Sequence, residues 1–133
     1  MREDLPIQIL RRDLENTCKG YSDAIKEKNL DLISGYYTKD CNLLIQGGVK
    51  VTGRDCVEKE FETEIKNIVD HQIQLKEIYK ITNDTVIGIG ERLTIYEIDG
   101  IKKEKSMKYV VQWERQSNGL WQAKLDIGLK EET

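Results

Sequence analysis

One histidine, one proline and three cysteines are spread over 133 residues, and no long apolar run is present. Each shortage excludes something. A lone histidine, His71, and the absence of any Cys-x-x-Cys pair leave no closely spaced nitrogen and sulfur ligands for a metal, so none is expected. His71 stands in a polar context and reads as a surface or strand-end residue. With a single proline, Pro6, and no low-complexity linker, the whole chain, 1–133, reads as one domain. Nothing approaches the ~20 apolar residues of a membrane-spanning helix. The opening "MREDLPIQILRRDLEN" carries charges where a secretory signal needs an apolar block. The expectation is a cytoplasmic chain whose Cys18, Cys41 and Cys56 stay reduced. Positive charge is also in short supply. A net charge of -3 argues against a general nucleic-acid binder. The basic run "IKKEKSMK" (101–108) lacks interleaved aromatics for base stacking and reads as a solvated strand face. "GIG" at 88–90 lies inside a strand pattern, not at a strand-to-helix turn, so it is no dinucleotide loop. No P-loop or nucleophile elbow occurs, and no cofactor is expected.

What is present is periodicity. Ile7, Leu10, Leu14, Cys18, Tyr21 and Ile25 recur at spacings of three and four, which predicts a helix with one apolar stripe. Asn29 or Asp31 suits the cap of a short second helix carrying Leu30, Ile33 and Tyr37 on one face. "CNLLIQ", a Gly-Gly bend and "VKVTG" predict a small strand pair, and "RDCVEKEFETEIKNIV" a third helix. From about residue 70 the period falls to two. A meander follows, with an irregularity near Glu77-Ile78 and a two-residue hairpin turn at Asp99-Gly100. In its second long strand Ile87, Ile89, Glu91, Leu93 and Ile95 share a side. Met107, Tyr109, Val111 and Trp113 share one in the next, and Trp121, Ala123, Leu125, Ile127 and Leu129 in the last. Helices first and a meander after them make an α+β arrangement. Gly88 and Gly90 permit the bend of a strongly curved sheet. The expected shape is a curved antiparallel sheet wrapped around three N-terminal helices, a cone with an interior pocket.

Three quoted stretches carry a resemblance. "YSDAIKEKNLDLISGYYTKDCNLL" (21–44), "GGVKVTGRDCVEKEF" (47–61) and "YVVQWERQSNGLWQAKLDIG" (109–128) follow one another in a familiar order. The chain resembles the nuclear transport factor 2-like, or cystatin-like, cone superfamily over roughly residues 7 to 129. It is most similar to the SnoaL-like and uncharacterised domain-of-unknown-function branches next to ketosteroid isomerase. The resemblance implies an interior site. By analogy with ketosteroid isomerase, Tyr21 takes the place of the tyrosine that donates to a developing oxyanion, and Tyr37 that of its supporting residue. The strand aspartate falls near Tyr109, and the proton-shuttling aspartate falls near Ile45, which has no acid-base capacity.

Beside that analogy stands the reading of the residues themselves. Glu91 interrupts an apolar side, where an unpaired buried carboxylate would be costly and its pKa would rise. The alternative is a strand shift that turns Glu91 to solvent. Tyr21 is an oxyanion donor, or else a core tyrosine with a hydrogen-bonded hydroxyl. Trp113 and Trp121 are ligand platforms, or else core. The candidates for lining an interior ligand site are therefore Tyr21, Tyr37, Glu91, Tyr109, Trp113 and Leu125, with Tyr21 and Glu91 the catalytic candidates.

Three functions remain in play. One is a cone that binds a small, mainly apolar molecule. Another is an isomerase- or dehydratase-type enzyme using Tyr21 and Glu91. The third is a homo-oligomeric interaction module like the association domain of calmodulin-dependent kinases. A closed, filled cone favours the third, and an open pocket with a buried carboxylate the second. A homodimer is expected through a mixed outer face that alternates Lys108, Val110 and Gln112 with Gln122, Lys124 and Asp126.

Overall fold

A computed structural model describes residues 4–48 and 50–131. The apolar stripe of the N-terminal segment becomes α1 (Ile7–Lys26), with Leu10, Leu14, Cys18, Tyr21 and Ile25 buried along one face. Ile7, at its first turn, is left exposed. Asn29 caps α2 (Leu30–Ser34) by accepting from the Leu32 amide at 3.2 Å, which satisfies one of the orphan donors at a helix start. The chain turns into β1 (Tyr37–Ile45) at once, so Tyr37 opens a strand instead of ending a helix. β2 is short (Lys50–Thr52), and the expected partner position Val49 lies outside the described residues.

The "GRD" after β2 has a mechanical role. Gly53 adopts a φ of 88° at the start of α3 (Arg54–Glu64). Its amide donates to the Cys41 carbonyl at 2.8 Å. Arg54 then reaches back, donating from Nε and Nη2 to the Tyr37 carbonyl at 2.8 and 2.7 Å. This clamp fixes the point where β1 begins. After a 3₁₀ turn (Ile65–Asn67) come the long strands β3 (Ile68–Thr82), β4 (Thr85–Ile98), β5 (Ile101–Arg115) and β6 (Trp121–Lys130).

The six strands form one curved sheet in the order β2-β1-β6-β5-β4-β3. All neighbours are antiparallel except β1 and β6, which run parallel. The helices pack on the concave side, and buried residues from α1, α2, α3 and the sheet form one cluster. Asp99 (φ 53°) and Gly100 (φ 78°) make the tight turn between β4 and β5. Of three irregularities along β3, the middle one lies at Lys76, which Leu75 and Glu77 skip in pairing with Gly90 and Ile89. Arg11 of α1 donates to the carbonyls of Leu75 and Lys76, tying the helix to that bulge.

Two strands face the other way from what their apolar patterns suggest. In β4 the buried side is Val86, Gly88, Gly90 and Thr94, with Arg92 among them, while Ile87, Ile89, Glu91, Leu93 and Ile95 lie on the outer face. The inward glycines make room for rings from β5. A Cβ on Gly90 would lie 2.0 Å from the Gln74 carbonyl oxygen and 2.8 Å from the Tyr109 hydroxyl. In β6 the pairing with β5 slips by one residue. Ala123 faces Trp113 and Leu125 faces Gln112, which leaves Lys124 as a bulge. Inward facing therefore passes from Trp121 and Ala123 to Asp126 and Gly128.

Candidate functional site

Tyr21 of α1, Tyr37 of β1, Arg92 of β4 and Asp126 of β6 meet in the cone. Arg92 Nη2 donates to Asp126 Oδ1 at 2.7 Å. Tyr37 donates to Asp126 Oδ2 at 2.9 Å. The Tyr37 proton is thereby used, so in the 2.7 Å contact between the two phenols Tyr21 is the donor. The Arg92 guanidinium also lies 5.3 Å from the centre of the Tyr109 ring. Burial, and after it the negative charge of Asp126, push the Tyr21 phenol well above its ordinary range. Burial opposes the charge on Arg92, but Asp126 together with the Tyr21 and Tyr37 phenols holds the guanidinium above its usual value.

This network separates two internal spaces, and Tyr21 and Arg92 belong to the walls of both. The inner chamber, about 20 Å³, lies among Cys18, Tyr36, Tyr109, Val111 and Trp113. That is room for about one water molecule. The mouth chamber, about 60 Å³, opens beside the exposed Glu60 of α3 and Lys105 of β5. Its wall is largely Ile25, Leu43, Phe61, Ile68 and Met107, broken by His71, Arg92, Thr94 and Tyr96.

His71 is not on the surface. It is 4% exposed, and its Nδ1 lies 2.7 Å from the Ser22 hydroxyl. Burial, with help from the positive charges of Arg92 and Lys26, pulls it down to about 4. At neutral pH the ring is therefore uncharged. The polar context in sequence misled because its neighbours on β3 alternate outward, while His71 itself points under α1.

Of the residues expected at the site, Tyr21, Tyr37, Tyr109 and Trp113 line the inner chamber. Glu91 does not reach the interior. It lies on the outer face, 38% exposed, paired with Lys76 at 3.0 Å. The reason is the inverted facing of β4, the shift weighed as the alternative above. Leu125 is likewise turned outward by the Lys124 bulge, and the same bulge removes Asp126 from the outer face. Tyr21 and Glu91 are thus on opposite sides of the sheet, and the Tyr21 proton is already given to Tyr37. The oxyanion donor and base of the isomerase reading are not assembled. Sequence reasoning missed Arg92, Asp126 and His71. Arg92 alone left a trace, as a charge in the middle of a long strand.

No protein-family model and no curated protein matches the chain. Solved structures do. It matches a candidate calcium/calmodulin dependent protein kinase II association domain from Xanthomonas campestris with a TM-score of 0.81 at 16% identity, covering 90% of this chain and 86% of that one. A ketosteroid isomerase-like protein from Erwinia carotovora atroseptica gives 0.78 at 15% identity, over 92% and 96%. An NTF-2 like protein of unknown function from Shewanella oneidensis gives 0.76 at 16% identity, over 90% and 98%. Likeness at such identities is a likeness of fold, and the three helices held in a curved, unclosed six-stranded sheet are the nuclear transport factor 2-like fold.

Proposed function

We propose that the protein holds a small, mainly apolar molecule in the mouth chamber, with His71 and Arg92 reading its polar group. The observation that carries this is His71. An uncharged imidazole, fixed by Ser22, is set into a wall of aliphatic and aromatic carbon. Apolar walls with a few fixed polar groups are the usual make-up of a ligand pocket. At about 60 Å³ the chamber takes only a few heavy atoms as it stands. A larger ligand requires α3 to move, and of that helix only Val57 and Phe61 are buried. His71 is the sole histidine, so its ring gives one unambiguous NMR signal. Titration with short-chain alcohols, phenols and ketones should shift that signal saturably for at least one class. A His71 signal unmoved by all three at millimolar concentration removes the reading.

A second reading, a homo-oligomeric assembly module, is favoured by the outer sheet face. Ile89, Val110, Ile127 and Leu44 are successive partners across β4, β5, β6 and β1, so they form one apolar row. Ile87, Leu93, Ile95 and Leu125 extend it on the same face. A continuous apolar band suits a self-complementary contact between two copies better than the mixed polar face expected from the sequence. The two readings are compatible, since the chambers open on the other side of the sheet.

A further inference from the structure

Ser22 and His71 are buried, 5% and 4% exposed, and meet at 2.7 Å. Which of them donates decides what His71 shows to the mouth chamber. A serine hydroxyl carries one hydrogen, and a buried hydrogen without an acceptor is costly. Thr17 and Ser34 donate theirs to the carbonyls of Asp13 and Asp31 in their own helices. Ser22 makes no such bond, and His71 Nδ1 is its one partner among the described residues. The Ser22 hydrogen therefore goes to Nδ1. A neutral imidazole that accepts at one nitrogen carries its proton on the other. The ring is neutral at pH 7, since burial holds it down to about 4, so its proton is on Nε2.

Nε2 has no partner among the described residues. It is not sealed in either, because the unpartnered side-chain polar atoms without contact to solvent are Arg92 Nε, the Tyr109 hydroxyl and Trp113 Nε1. His71 forms part of the mouth-chamber wall, so its Nε2–H is a donor open to that space. The Arg92 guanidinium lines the same wall. The phenol hydrogens there are already engaged, Tyr21 on Tyr37 and Tyr96 on Glu64 Oε1 at 2.9 Å.

An ammonium group brought to this end of the chamber meets donors and a positive charge. A carboxylate gains little, because Asp126 already neutralises Arg92, and Glu60 and Glu64 outnumber Lys105 in the rest of the wall. What is left is a neutral oxygen that accepts. We infer that Ser22 is a positioning residue that holds His71 as its Nε2–H tautomer, and that the mouth chamber thereby selects neutral molecules with an acceptor oxygen over amines and acids of the same shape. The selectivity rests on the chamber being the ligand site proposed above; the tautomer does not.

The test is nitrogen NMR of the isotopically labelled wild-type chain at pH 7, with the two ring nitrogens told apart by their couplings to the ring protons. A protonated Nε2 is expected, with an unprotonated Nδ1 moved upfield by the bond it accepts. Ser22→Ala should move Nδ1 downfield, a signature that lost packing alone does not produce. A proton on Nδ1 in the wild type overturns the inference, and so does an Nδ1 signal unmoved in Ser22→Ala. Butanone, sec-butylammonium and propanoate, three probes of one shape, then test recognition. Butanone should shift the His71 signals saturably, and the two ions should bind roughly 10-fold more weakly or less still. Either ion binding as tightly as butanone overturns the inference while leaving the ligand site in place. Silence from all three removes the ligand site and the selectivity with it, and the unliganded spectrum still decides the place of the proton. Should Ser22→Ala fail to fold, the wild-type spectrum decides alone.

Discussion

Arg92 and Asp126 pair at 2.7 Å although their strands are not neighbours, since β5 lies between β4 and β6. The guanidinium crosses the concave face of β5 to reach the carboxylate. Asp126 is almost fully buried and the Arg92 side chain is 15% exposed. The pair therefore links two distant parts of the sheet on the inside of the cone.

Breaking that pair from one side should be severe. Asp126→Ala leaves a buried guanidinium without its counter-ion and should cost about 3–5 kcal/mol in urea unfolding. Replacing both partners, Arg92→Met with Asp126→Leu, should cost much less than Asp126→Ala alone. A double variant weaker than the single one would show that the pair is not the source of the loss.

The order of protons in the phenol chain sets a second expectation. Tyr21→Phe removes one hydrogen bond and leaves Tyr37 on Asp126, a loss of about 0.5–1.5 kcal/mol. Tyr37→Phe removes two and strands both the Tyr21 hydroxyl and Asp126 Oδ2, so about 2–3 kcal/mol is expected. Denaturant midpoints for the two variants should fall in that order. The reverse order would mean that Tyr21 is not the terminal donor.

His71 predicts a pH dependence. Its pKa is about 4 in the folded chain and the ordinary value is 6.5, so between these limits the unfolded chain binds the extra proton. Stability from keeping the ring neutral is complete above the unfolded value and is lost as pH falls toward 4. From pH 7 to pH 5 the loss should be roughly 2 kcal/mol, before most carboxylates titrate. His71→Gln should flatten the urea midpoint across that window. An equally steep profile in His71→Gln assigns the effect to other groups.

Much of the architecture was legible in the sequence. The α1 stripe, the Asn29 cap, the hairpin at Asp99-Gly100 and the irregularity near Glu77 all follow from local rules. What failed was facing. In β4 the interior positions carry Gly88, Gly90 and Arg92, because rings from β5 and an ion pair occupy the space that aliphatic side chains usually fill. The apolar residues moved to the other face, and alternation alone does not say which face is inside. In β6 one extra residue, Lys124, reversed the parity halfway along. The bulge at Lys124 left no break in the alternation of the sequence, unlike the one in β3, so Asp126 read as solvent-facing and Leu125 as interior. The site was hidden for the same reason, since two of its residues lie beyond those two reversals.

The apolar row on the convex side yields a prediction about assembly. The wild-type chain should sediment as a dimer at micromolar concentration, and Ile127→Lys, at the centre of the row, should sediment as a monomer with its interior unchanged. The His71 ring signal provides the check on the interior. Wild type sedimenting at the mass of one chain would leave the apolar row without this explanation.

The parallel pairing of β1 with β6 has a consequence for how the chain comes together. Tyr37 aligns with Ala123 and Leu44 with Ile127, so the first strand, already beside β2, finds its second neighbour only when the last has been made. Closing so long a loop is slow compared with forming the local hairpins of β3, β4 and β5. During synthesis the α1 stripe and β1 emerge more than eighty residues ahead of the strand that completes their shelter. α1 can meet β3 and β1 can meet β2 before then, but a nascent chain stopped before β6 leaves the other edge of β1 unpaired and the cone open.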